Sequence, residues 1–325
     1  MKSVLVCGGA GYIGSHMVAW LARRGWQVTV LDNLSTGHRQ AVPSSDLLHA
    51  DLLEPWSLEK VFGSRHFDAV MHFCARSLVG ESVKQPYDYY ANNVAGTLNL
   101  LRVMRRHAVE QLVFSSTAAV FGQPLTERID EDHPKQPINP YGASKLMVER
   151  VLADAANAYG LRSVSLRYFN AAGASMDGSI GESHEPETHL IPNVLRAAGG
   201  AGPKLKVFGC DYPTPDGTCI RDYVHVEDLA QAHELALAFL CSNQGAHAFN
   251  LGNGKGFSVL EVIAAAEAVT GHDIPYSIEA RRAGDPAVLV ASSLRARDQL
   301  GWFPVHDTLD SIISTAWKWH RLQSY

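Results

Sequence analysis

Near its amino terminus the chain runs Val4-Leu-Val-Cys-Gly8-Gly-Ala-Gly11-Tyr-Ile-Gly14, a short apolar stretch that breaks into glycines three residues apart. A helical pattern follows at once, with Ile13, Met17, Trp20 and Leu21 recurring on one face. Strand, glycine turn and helix together constrain the fold more than any other feature, because this unit opens a parallel α/β sheet. Glycines allow the tight turn and let backbone approach a pyrophosphate, which then rests on the helix N-terminus. A merely structural turn needs no acid downstream. Here a second strand-like run, Val28-Thr-Val-Leu-Asp32, ends in one at the expected distance. Asp32 is placed to accept adenosine ribose hydroxyls and its charge repels a 2′-phosphate, so NAD is expected rather than NADP.

Strand-like runs alternate with helical ones through the first half. Candidate strands are 3–7, 28–31, 47–50, 68–73, 110–116 and 163–168, with helical patterns such as 93–107 and 143–159 between them. This alternation predicts an α/β protein built on a Rossmann-type, doubly wound parallel sheet. After Asn170, Gly and Pro cluster at 173–186, 199–203 and 209–217. Short strands are expected at 205–208 and 274–278, and helices at 226–240, 258–270 and 308–321. We therefore expect an NAD-binding domain over 1–170 and a smaller α/β substrate-binding domain over 171–325, with about 221–240 packing back on the sheet. A chain of 325 residues with 46% hydrophobic content has core enough for both.

A net charge of −5 offers no basic field for nucleic acid. No apolar run reaches the roughly 18 residues of a membrane span, and Met1-Lys2 leads straight into a strand, so a cytoplasmic protein is expected. The five cysteines are scattered with no Cys-x-x-Cys pair, which fits free thiols in a reducing compartment. Among fifteen histidines the densest acidic stretch is His184-Glu-Pro-Glu-Thr-His189. Its histidines are five apart with a proline between, which excludes the one-face pair of a helical zinc motif, so a loop and no metal are expected.

Chemistry is indicated by Asn139-Pro-Tyr-Gly-Ala-Ser-Lys145. Pro140 is tolerated in a first helical turn, and residues i and i+4 lie on one face, so Lys145 sits beside Tyr141. A fixed cation favours the phenolate, making Tyr141 a candidate general acid/base. Alone, such a pair is as readily a surface tyrosine beside a solvated lysine; its force comes from the dinucleotide turn in the same chain.

Taken together, these motifs resemble the extended short-chain dehydrogenase/reductases, which use the Gly-x-x-Gly-x-x-Gly spacing, and within them the UDP-glucose (UDP-galactose) 4-epimerases. The resemblance runs over nearly the whole chain. It includes Phe114-Ser-Ser-Thr-Ala-Ala-Val-Phe-Gly122, Arg167-Tyr-Phe-Asn170, Asp211-Tyr-Pro-Thr214, Gly217-Thr-Cys-Ile-Arg-Asp-Tyr223 and Arg281-Arg-Ala-Gly-Asp285. It implies that Tyr141 takes the proton of the sugar 4-hydroxyl, that Lys145 holds the nicotinamide ribose and keeps the tyrosine acidic, and that Thr117, with Ser115 nearby, relays the proton. It further implies that Gly8, Gly11, Tyr12, Ile13, Gly14, Asp32, Asn33, Thr36, Asp51, Leu52, Phe73, Ala75, Asn92 and Phe169 line a tightly held NAD. Asn170, Leu190, Val207, Phe208, Arg221, Arg282 and Asp285 would hold UDP. Two guanidiniums suit a diphosphate, and Phe208 offers a flat face to uracil.

Some positions depart from the family pattern: His189 stands where an asparagine is frequent, Ser77 where a lysine is, and Phe121 where a tyrosine is. A 4,6-dehydratase would need acids beside the threonine, and Thr117-Ala-Ala119 has none. Epimerases of UDP-N-acetylglucosamine, UDP-xylose or UDP-glucuronate stay open, as does a non-catalytic NAD-binding protein. By the resemblance Leu289 lies near carbon 2 of the sugar, where a leucine leaves room for an N-acetyl group. A homodimer through 93–107 and 143–159 is implied as well, with Leu101, Met104, Leu152 and Ala156 as interface candidates.

Overall fold

The apolar runs of the sequence become the strands of one parallel sheet. The computed structural model describes residues 2–43, 46–200, 204–282 and 284–325. The strands are β1 (Ser3–Cys7), β2 (Gln27–Asp32), β3 (Asp46–His49), β4 (Ala69–His72), β5 (Gln111–Thr117), β6 (Arg162–Tyr168) and β7 (Ala246–Leu251). Their order is β7-β6-β5-β4-β1-β2-β3, and every pairing is parallel. This is the Rossmann-type arrangement that the alternation predicts. Helices cover both faces, which is why β1 and β4 are buried along their whole length and read as continuous apolar runs. The seventh strand is absent from the sequence-based strands. Its first half is exposed or half-buried and carries His247, so it shows no apolar run long enough to stand out.

On one face, α1 (Tyr12–Arg23) and α5 (Val226–Leu240) pack together, with Met17, Leu21, Leu229 and Ala236 in one buried cluster with Val4, Val6 and Trp302. On the other face lie α2 (Gly96–Arg106) and α3 (Pro140–Tyr159). Here Leu100, Val103, Met104, Val148 and Leu152 meet Leu5, Val70 and Phe114. Met104 and Leu152 are 1% and 0% exposed and face the sheet, so the interface role that the resemblance implies for these two gives way to a core one. The i, i+4 periodicity marks an apolar face without saying whether sheet or partner covers it. Burying a leucine side chain contributes roughly 1.5–3 kcal/mol. Truncation at Leu152 would cost about 2–5 kcal/mol by leaving a cavity.

A third buried cluster lies apart from the sheet. It joins Val194 and Leu195 of α4 (Leu190–Ala198) to Val262 and Ile263 of the 259–270 helix and Ile312 and Ile313 of the 309–322 helix. Strand Leu205–Phe208 pairs in parallel with Tyr276–Glu279 at its rim. Two-residue strands at 220–221, 257–258 and 288–289 form a small separate sheet. Among the described residues, no helix is long and apolar enough to cross a membrane.

Candidate active site

The strand order reverses between β1 and β4, and in such sheets ligands bind beyond the carboxyl ends of the strands at that point. Gly8 ends β1 there with φ +76, and a Cβ on it would lie 2.6 Å from the Cys74 nitrogen. Only glycine fits, and the backbone is bare for a ligand to approach. Gly11 caps α1 without any side-chain hydrogen bond, and its first turn carries no acid. The leading N–H groups of α1 therefore form an anion-binding end that nothing of the chain's own neutralises.

Asp32, at the end of β2, is 6% exposed. Its Oδ2 accepts from the Ala10 nitrogen at 2.9 Å and its Oδ1 from the Leu34 nitrogen at 2.8 Å. These bonds aim the carboxylate while leaving it lone pairs for ribose hydroxyls. Burial raises its pKa, and the two backbone donors oppose that. Asn33 donates to Asp51 at 2.8 Å, so these two residues lie together at the same strand ends, beside buried Leu52. Tyr12 donates to the Gly173 carbonyl at 2.6 Å. Ile13 and Phe73 pack on the first core cluster, Phe73 with its ring 4.7 Å from that of His233. Ala75 and Asn92 are half-buried, Phe169 lies against Phe121, and Thr36 is exposed. The bare glycine turn, the uncapped helix end and the aimed acid fit an NAD.

The acid/base group sits on regular elements. Asn139 caps α3 by accepting from the Gly142 nitrogen at 2.8 Å, and Pro140 occupies its first turn. This places Tyr141 and Lys145 at the start of the helix, facing the end of β5. Lys145, 2% exposed, donates to the Ser115 carbonyl at 2.8 Å, with its ammonium 4.7 Å from the Phe114 ring centre. Burial lowers its pKa to about 7. The Tyr141 phenol is raised by burial and lowered by a hydrogen bond with Thr117. The sequence predicts the opposite net direction for this phenol. The difference is physical: Tyr141 is desolvated, and the lysine's ammonium is turned onto a carbonyl. Thr117, 8% exposed, also accepts from the Ala119 nitrogen at 3.1 Å. Ser115 bonds through its hydroxyl to Tyr168, which leaves Thr117 as the hydroxyl engaged with Tyr141.

Three residues that the sequence reading passes over hold this constellation. Glu149, one turn beyond Lys145 on α3, accepts Arg167 through both oxygens at 2.8 and 2.6 Å and Ser116 at 2.6 Å. Their side chains are 10% and 4% exposed, so a buried bidentate pair ties α3 to β5 and β6. Its i+4 spacing from Lys145 was the available signal. Tyr168 is the partner of Ser115. Asp222, fully buried, accepts from the backbone of Asn253, Gly254 and Ala291 at 2.8, 3.1 and 3.0 Å and pins three loops behind Arg221.

The remaining predicted residues surround the opposite side of the crevice. Asn170 donates to the Asp222 carbonyl at 2.9 Å, and Leu190 begins α4. The Arg282 guanidinium lies 4.0 Å from the Phe208 ring centre, so the ring face expected for uracil is paired with a cation. Arg221 donates to the carbonyls of Ile220 and Pro286 at 2.8 and 2.9 Å and stands 3.6 Å from Asp285. Val207 is 1% exposed, belongs to the third core and pairs with Ile278 in the strand ladder. Leu289 packs on the small buried cluster of Ala118, Val120, Phe121 and Ile129.

The NAD dependent epimerase/dehydratase family model matches residues 4–252. The chain is 52% identical over 319 residues to the UDP-glucose 4-epimerase of Halalkalibacterium halodurans, covering 98% of this chain and 96% of that protein. It superposes on the crystal structure of UDP-glucose 4-epimerase from Brucella ovis in complex with NAD with a TM-score of 0.95 at 49% identity, covering 98% of each chain. The UDP-glucose 4-epimerase from Bifidobacterium longum in complex with NAD+ and UDP matches with a TM-score of 0.93 at 38% identity, covering 99% of each chain.

Proposed function

This chain belongs to the NAD dependent epimerase/dehydratase family, and we propose that Tyr141, Lys145 and Thr117 carry its reaction, the inversion of carbon 4 of a UDP-hexose. The observation that supports this assignment is the placing of Tyr141 and Lys145 one turn apart at the capped start of α3, with Lys145 donating to the Ser115 carbonyl two residues before Thr117. The protein is an NAD-dependent UDP-glucose 4-epimerase in activity, as its relatives of about 50% identity indicate. Held by the glycine turn at Gly8, Gly11 and Gly14 and by Asp32, an NAD would supply reversible hydride acceptance at carbon 4.

The chain's own residues handle the proton and the geometry. As the phenolate, Tyr141 accepts the proton of the sugar 4-hydroxyl, directly or through the Thr117 hydroxyl, which gives up one proton for each it takes; as the phenol it returns that proton by the same path, so one residue serves both directions. Lys145 places a positive charge against the β5 backbone and the ribose side of the crevice. Arg221, Arg282 and Asp285 hold the nucleotide end, which leaves the sugar free to present either face. Leu289, beside the turn that follows Thr117, faces the sugar and limits the bulk accepted at carbon 2. The partly exposed apolar face formed by Tyr90, Val94, Ala95, Leu98 and Met147, on the α2 and α3 side, is the surface for a second copy of the chain. Light scattering at micromolar concentration should give a dimer.

The experiment that tests the reading is conversion of UDP-galactose to UDP-glucose by purified protein with no cofactor added, followed by release and identification of the bound nucleotide. Conversion with NAD recovered supports it. A protein that is inactive when NAD-loaded, or that carries only NADP, removes it.

A further inference from the structure

The segment between strand 170–172 and α4 does what the helical-spacing argument did not foresee. It folds Glu182, His184, Glu187 and His189 onto one point, with one ligand atom from each lying within 4.8 Å of the others. His189 Nδ1 is 2.7 Å from Glu182 Oε1 and 2.9 Å from Glu187 Oε1; His184 Nδ1 is 3.1 Å from Glu182 Oε1 and 3.7 Å from Glu187 Oε2. A tetrahedral ion with bonds near 2.1 Å spaces its ligands roughly 3.4 Å apart, which these separations bracket. One imidazole nitrogen has a single proton at most, yet His189 Nδ1 faces two carboxylates and Glu182 Oε1 faces two rings. Hydrogen bonds cannot satisfy this convergence one to one.

We propose that these four residues form a structural Zn2+ site. Two imidazoles and two carboxylates suit a borderline cation, and the set is neutral once a divalent ion is added. The carboxylates suit a cation, since the Glu187 and Glu182 side chains are only 1% and 7% exposed and both converge on the same two rings. The site is also supported from behind. The Thr188 and His189 nitrogens donate to Glu187 at 2.7 and 2.8 Å, and the Trp319 indole donates to the Glu182 carbonyl at 2.9 Å. Gly181 lies so close on the Trp319 ring that no side chain fits there. The cluster adjoins Tyr12 of α1, whose ring stands edge-on to His184 at 6.3 Å, and runs directly into Leu190. A bound ion therefore clamps the loop between the glycine turn and the far side of the crevice, independently of the reaction assigned above.

The test uses untagged holoenzyme purified without chelator. Elemental analysis after gel filtration should give about one zinc per chain. Cobalt substitution should give the intense visible absorption of a tetrahedral ion, and chelation should lower the melting temperature in a way that Zn2+ but not Mg2+ restores. His189→Asn and His184→Gln should each weaken Zn2+ binding by more than the roughly 10- to 100-fold that loss of a supporting hydrogen bond costs. The cobalt spectrum of the native protein needs no variant, so it decides the matter even if both variants misfold. A native protein that takes up no zinc at millimolar concentration has an imidazolium–carboxylate network instead, and the proposal fails. Unchanged zinc binding by both variants would overturn it equally, by placing the ion elsewhere.

Discussion

The two sides of the crevice are built differently. Tyr141, Lys145 and Thr117 stand on a capped helix and a central strand, joined by the buried Glu149–Arg167 pair. Arg221, Arg282, Asp285 and Leu289 stand on two-residue strands and loops, and hold one another through exposed or half-exposed contacts. Chemistry that must place a proton to within a fraction of an ångström sits on the rigid side. The proposed recognition of the nucleotide sugar falls where side chains can adjust. The contrast teaches where substitutions should abolish turnover and where they should only retune it.

The largest effect is expected at the rigid side. Tyr141→Phe should lower turnover roughly 100- to 10,000-fold while fold and bound NAD are kept. Near-normal turnover, measured beside an unchanged melting curve, would detach the chemistry from α3. Next comes the clamp behind it. Glu149→Gln leaves Arg167 buried without its partner and should cost about 3–5 kcal/mol in urea unfolding. Asp285→Asn, across a pair whose aspartate side chain is 35% exposed, should cost under about 1 kcal/mol and act on KM instead. Equal stability losses in the two variants would erase the contrast.

Acidity probes the sheet side as a whole. Burial holds His16 and His233 near pKa 4 and His72 and His225 near 3, all below the ordinary value of 6.5. Below about pH 6.5 the unfolded chain takes up protons that the folded chain refuses, so stability should fall as pH drops from 6.5 toward 4. A melting temperature that stays flat across that window would mean these rings are not held neutral in the core. At Leu289 the effect is expected on substrate choice alone. Leu289→Tyr should reduce catalytic efficiency on UDP-N-acetylglucosamine relative to UDP-glucose by an amount corresponding to about 1–3 kcal/mol of overpacking. An unchanged ratio would show that the flexible side sets breadth at some other residue.

What was legible in the sequence follows from local physics. Glycine at Gly8, an acid closing β2, apolar runs between helical patterns, and Tyr141 one turn before Lys145 are all short-range statements, and periodicity and steric limits fix them without the rest of the chain. Tertiary structure decided what depends on segments far apart. It turned Met104 and Leu152 toward the sheet, drew 246–251 in as a seventh strand, and directed Lys145 onto the Ser115 carbonyl with Tyr141 desolvated beside Thr117. It also gathered Glu182, His184, Glu187 and His189, whose spacing fits no helix or strand. A loop's path is set by what it packs against, here Trp319 and Tyr12, and no pattern within 182–189 encodes those contacts.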